Sequence, residues 1–175
     1  MRLFLAVELG KDVKDELLRI RKEIEKTKLI SAKYVEPENL HLTLKFFGEL
    51  TRRQVDDIVE KLKEAKFEKF EAKLKNLGYF SEEFIRVLWA GLECDKIKSL
   101  SQKIENLLGK NEREFNCHIT LARIKRISDK KKFKEFIKSF KVKRMVFLID
   151  KIALKESILT EKGPIYSDVF VKYLD

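Results

Sequence analysis

A chain of 175 residues, 44% hydrophobic, holds enough apolar mass for one packed domain, and its evenly spread apolar residues with only two Pro and six Gly exclude a disordered chain. The formal charge of +10 admits two readings: attraction to a polyanion such as nucleic acid, or the Lys/Glu-laced surface of a heat-adapted protein, since 39% of residues are charged. No apolar run approaches the roughly 20 residues that cross a bilayer, and the run at 3–7 is too short for a signal peptide, so a soluble, cytoplasmic protein is expected.

Residues 2–8 read as a strand. Residues 11–28 place Val13, Leu17, Ile20 and Ile24 at helical spacing between charges, the pattern of an amphipathic helix. A strand at 41–47 precedes a helix at 51–65, which Thr51 and Gln54 open with the spacing of a capping box. Strands at 70–77 and 84–92 lead to a helix at 95–108, with Gly109 placed to end it. A strand at 118–124, a helix at 128–140 and strands at 145–154 and 165–173 complete the chain. Cys94 and Cys117 form neither a disulfide framework nor a metal knuckle and are expected as buried thiols.

The order repeats. Arg2-Leu-Phe-Leu-Ala-Val-Glu and Arg86-Val-Leu-Trp-Ala-Gly-Leu-Glu each precede a helix, and each half continues with strand, helix and strand. The expectation is one α+β domain over 1–175 with an approximate internal repeat of 1–80 and 81–175. Its two pseudo-symmetric lobes would have antiparallel sheets lining a central cleft and helices packed outside.

The chain has two histidines, and both stand in the same motif: His41-Leu-Thr-Leu44 and His118-Ile-Thr-Leu121. With five Thr and 23 Leu available, chance produces this on the order of once in 10⁵ sequences. On a strand, His41 and Thr43 share one face and Leu42 and Leu44 the other, and likewise in the second motif. Two such strands about a twofold axis bring two imidazoles and two hydroxyls to one point. At neutral pH one imidazole can accept a proton while the other donates one, which is what displacement at a phosphodiester needs. Thr43 and Thr120 can donate to the non-bridging phosphate oxygens, and Arg123 can clamp them if a bulge restores it to the histidine face. The residues alone allow either histidine to be the acid. A zinc site lacks ligands: no His-x-x-x-His helix or Cys cluster accompanies the histidines.

These motifs, together with Pro37-Glu-Asn-Leu-His-Leu-Thr-Leu-Lys-Phe-Phe-Gly48, His118-Ile-Thr-Leu-Ala-Arg123, Ser157-Ile-Leu and Gly163-Pro-Ile-Tyr166, give a chain that resembles the 2'-5' RNA ligase-like RNA 2',3'-cyclic phosphodiesterases of the two-histidine phosphoesterase superfamily. Cys117 stands where that family commonly has Pro. The resemblance implies the two-histidine phosphoesterase fold and hydrolysis of RNA 2',3'-cyclic phosphates to 2'-phosphates with no cofactor and no metal. In it His41 is the proton donor and His118 the proton acceptor, and 2'-5' joining of RNA ends, tRNA halves among them, is a second implied activity of a monomer. Lys45, Phe47 and Tyr166 are candidate contacts to base or phosphate, with Tyr34 and Phe46 as further aromatics near the motifs. The competing expectations are an enzyme for small cyclic nucleotides or ADP-ribose cyclic phosphate, and a non-catalytic module that holds RNA ends.

Overall fold

The computed structural model describes residues 1–175 apart from Cys94, Arg113 and Lys162. Chain order is β1 (Arg2–Glu8), α1 (Lys11–Thr27), β2 (Ile30–Tyr34), a 3-10 turn at Pro37–Asn39, β3 (His41–Glu49), α2 (Arg52–Glu64), β4 (Phe70–Tyr79), β5 (Val87–Leu92), α3 (Asp95–Leu108), β6 (His118–Ile127), α4 (Lys130–Ser139), β7 (Val146–Ile149), β8 (Lys151–Thr160) and β9 (Gly163–Tyr173).

The helices form where periodicity and end signals agree. Val13, Leu17, Ile20 and Ile24 are buried along α1, which ends because Lys28 adopts φ 55 and returns its N–H to the Glu25 carbonyl. Thr51 and Gln54 make the reciprocal capping box of α2, and the Asp129 carboxylate caps α4 by accepting from the Lys132 N–H. Gly109, at φ +92, follows α3 in a conformation that glycine adopts without strain. Among the described residues, no helix is long and apolar enough to cross a membrane.

Nine described strands form one antiparallel sheet in the order β7-β4-β5-β6-β3-β1-β8-β9, with β2 on the other side of β6. It divides into two lobes, β3-β1-β8-β9 and β2-β6-β5-β4-β7, and the α+β architecture with helices outside follows from their shared apolar face. β4, from the first half of the chain, pairs with β5 in the second lobe, while β8, from the second half, pairs with β1 in the first. The crossing occurs at Asp150: residues up to Ile149 pair with β4 and residues from Lys151 pair with β1 and β9. The expected single strand at 145–154 is therefore two strands in different lobes. β2 was not expected from the sequence at all.

The lobes join between β3 and β6 through the pair Leu42↔Ile119, both fully buried. Cys117 is half-buried beside the core rather than buried, and Cys94 lies outside the described residues.

Candidate active site

The junction positions the two motifs. An antiparallel step either way from Leu42↔Ile119 sets His41 across from Thr120 and Thr43 across from His118, all four half-buried on the face opposite the core. His41 and His118 then stand as diagonal neighbours, which in a sheet lie about 7–8 Å apart, enough room for a phosphate between their rings.

Each ring is held the same way. His41 Nδ1 lies 2.6 Å from the Asn39 carbonyl oxygen, and His118 Nδ1 lies 2.8 Å from that of Asn116. A carbonyl oxygen only accepts, so the hydrogen sits on Nδ1 and Nε2 is left for chemistry in both rings. Thr43 Oγ1 lies 3.0 Å from His41 Nε2 and donates to it while the ring is neutral. Aromatic walls complete each side. Phe4 and Tyr166 pack on His41 at 4.9 and 5.5 Å between centroids; Phe80 packs edge-on against His118 at 4.9 Å, backed by Trp89 at 6.5 Å. Burial lowers the His41 pKa to about 4, with Lys155 and the partner histidine adding to the effect and the Asn39 carbonyl opposing it. Burial lowers His118 as well, opposed by the Asn116 carbonyl.

Arg123 reaches this face through a bulge. Between Leu88↔Ala122 and Trp89↔Thr120 the register shifts, Leu121 and Ala122 are buried in succession, and Arg123 emerges exposed. Arg123 and Arg2 both act on the Tyr166 hydroxyl, whose pKa burial raises and these cations lower. The same bulge recurs in β3, where Leu44 and Lys45 are buried in succession and Phe46 emerges 70% exposed. That shift corrects two expectations. Lys45 does not share the His41 face: its Nζ is turned inward and donates to the Lys110 carbonyl at 2.9 Å and to Asn111 Oδ1 at 3.2 Å. Phe47 lies half-buried under the Lys45 ammonium at 5.4 Å, while Phe46 takes the cleft side at 6.0 Å from Phe4. Tyr34 is likewise turned away, stacked beneath Arg21 of α1 at 4.7 Å.

Compared with known families, residues 7–89 and 93–166 match the LigT-like phosphoesterase model, a span that contains both histidine motifs. The chain belongs to the LigT-like phosphoesterases. A relative from Methanocaldococcus jannaschii named RNA 2',3'-cyclic phosphodiesterase is 37% identical over 95% of this chain and 96% of its own. One of the same name from Methanothermobacter thermautotrophicus is 34% identical over 98% and 97%. The crystal structure of TT0787 from Thermus thermophilus superposes with a TM-score of 0.80 at 30% identity, covering 99% of this chain and 98% of that one. As a phosphoesterase this protein is an enzyme that hydrolyses phosphoester bonds.

Several features of the LigT-like site escaped the sequence reading. The carbonyls that orient the imidazoles belong to Asn39 and Asn116, each two residues before its histidine, and that matched spacing was a visible signal. The Asn39 side chain also donates to the Pro164 carbonyl at 3.0 Å, tying the 3-10 turn to the strand that carries Tyr166. Beside them, Lys155 of β8 bridges Glu8 at 2.7 Å and Asp168 at 2.5 Å. Nothing local in the sequence announces that triad, because its members come from three strands.

Proposed function

We propose that this phosphoesterase hydrolyses RNA 2',3'-cyclic phosphate ends to 2'-phosphates, with His41 as proton donor and His118 as proton acceptor and no metal in the chemical step. The observation that carries the reading is the matched pair of Nδ1-anchored imidazoles, each presenting Nε2 to the same face beside a threonine. The names of the relatives supply the substrate class.

Water placed by His118 gives its proton to Nε2 as its oxygen attacks phosphorus. The bond from phosphorus to the 3'-oxygen breaks, and that oxygen takes the proton from His41 Nε2. His41 must first be protonated. A bound phosphate anion favours its imidazolium, and protonation of Nε2 releases the Thr43 hydroxyl to donate to a phosphate oxygen instead. Thr120 and Arg123 supply the remaining donors, Arg123 with a planar fork suited to two oxygens. Attack by an RNA 5'-hydroxyl in place of water gives a 2'-5' linkage by the same proton transfers.

One observation favours exchanged roles: His41 is the more strongly depressed of the two and is accepting a hydrogen bond on Nε2. A phosphodiester with a p-nitrophenolate leaving group separates the assignments, because that group departs without a proton. With His41 as acid, His41→Ala keeps its turnover of the activated ester and His118→Ala loses it.

The reading itself is tested with a short RNA ending in 2',3'-cyclic phosphate, incubated with protein and excess EDTA, the product's phosphate being located by phosphorus NMR. A 2'-phosphate supports it. A 3'-phosphate, or activity that vanishes with EDTA and returns with a divalent ion, would overturn it.

A further inference from the structure

Equivalent positions in the two motif strands differ in chemistry. Past the bulge, β3 turns Phe46 to the cleft beside Phe4, whereas β6 turns Arg123. The cleft is thus apolar at one end and cationic at the other.

The cationic end continues. The β2–β6 register shifts again between Ser31↔Arg126 and Ala32↔Ile124, so that Lys125 and Arg126 are both exposed while Ile124 stays in the core. Arg86, just before β5, lies alongside, its Nη1 donating to the Lys125 carbonyl at 3.4 Å. The distance from Arg123 to Arg126 along the strand is about 10 Å at ~3.3 Å per residue.

Part of the positive charge is neutralised within the helices. Along α1 and α2, Lys11, Arg19, Arg21, Lys26, Arg52 and Lys63 each pair with a carboxylate three or four residues away. Among the described residues, Arg86, Arg123, Lys125 and Arg126 form no ion pair. An unneutralised row leading away from a phosphate site attracts further phosphates.

Resting on the RNA reading above, we propose that Lys125 and Arg126, with Arg86, form a track for the backbone phosphates of the RNA upstream of the cyclic end. The enzyme would then prefer an oligonucleotide to a mononucleotide, because only the oligonucleotide has phosphates to place there. The contacts would be indifferent to sequence, as phosphate contacts are.

The test compares a 2',3'-cyclic mononucleotide with a six-nucleotide RNA bearing the same end, using wild type and the double variant Lys125→Gln/Arg126→Gln. Both substituted residues are exposed and lie outside the catalytic set. For the hexanucleotide, the variant's KM is expected to rise roughly tenfold or more, with a salt dependence flatter by about one to two phosphate contacts. Its kcat/KM for the mononucleotide should stay at the wild-type value. An unchanged hexanucleotide KM and salt slope, an equal loss on both substrates, or wild type showing no preference for the hexanucleotide would each overturn the track. Wild type turning over neither substrate would overturn the RNA reading itself, and the track with it.

Discussion

Both imidazoles lose basicity for one reason, enclosure by rings and strand backbone, and both keep a defined tautomer through a backbone carbonyl. Since catalysis requires one of them protonated, the free enzyme should work best where its lowered pKa values permit that state. The kcat/KM profile for a cyclic-phosphate RNA is expected to be bell-shaped with its top on the acid side of 6.5, and the kcat profile to peak at higher pH because bound phosphate favours the imidazolium. A kcat/KM that climbs steadily from pH 6.5 to 8 would rule this out. The His41 shift also has a stability consequence. The unfolded ring takes a proton near 6.5 and the folded ring only near 4. Stability from this residue is therefore complete above 6.5 and lost as pH falls toward 4, by roughly 3 kcal/mol in all. Urea unfolding at pH 7.5 and 4.5 should show wild type losing roughly 2–3 kcal/mol more than His41→Gln, and equal losses would mean that the folded ring titrates normally.

At the level of strands, the site depends on two bulges and one tightly packed tryptophan. Trp89 lies opposite Thr120 and against His118, and its ring fills the space over Gly78, where an added Cβ would stand 2.3 Å from the indole Cη2. Gly78→Ala should destabilise the protein by about 1–3 kcal/mol, shift the emission of its single tryptophan, and slow hydrolysis. Gly10→Ala, where nothing lies within 4 Å of the added carbon, is the control expected to leave emission and rate unchanged. A normal Gly78→Ala emission spectrum would show that Trp89 is not fixed there. These same features mark where sequence reading succeeds and fails. The four helices were legible because apolar periodicity and capping residues agree, and the paired histidine motifs because alternation puts each His and Thr on one face. Alternation failed past Thr43, where two consecutive inward residues reversed the faces of Lys45, Phe46 and Phe47. For Arg123 the need for a bulge could be stated from the sequence, but a bulge has no residue signature in Leu121-Ala122. β2 did carry an alternating signal, with Ile30, Ala32 and Tyr34 half-buried and Ser31 and Lys33 exposed, but over only five residues, and the break at Asp150 was hidden because one apolar stretch serves two lobes in succession.

For the whole molecule, exchange of β4 and β8 means that each lobe is completed by the other half of the chain, around one continuous core cluster. Neither lobe can detach its sheet without breaking the other. Unfolding in urea should therefore be a single transition, with the Trp89 emission and far-ultraviolet circular dichroism curves superimposing. A separate early loss of tryptophan signal would show that the lobes are independent. At this scale part of the positive charge behind the +10 is neutralised by helical ion pairs, while the row on β6, with Arg86 beside it, is among the cations left unpaired.

The central claim is that His41 and His118 act as one unit on one phosphate, and single-turnover kinetics of His41→Ala, His118→Ala and the double variant on a cyclic-phosphate RNA tests it most directly. Residues that act together are lost together. Each single variant is expected to fall by about 10² to 10⁴ in rate, the range of general acid–base catalysis, and the double variant to fall little further. Either single variant turning over at the wild-type rate, or two losses that multiply in the double variant, would mean that the histidines do not share a reaction.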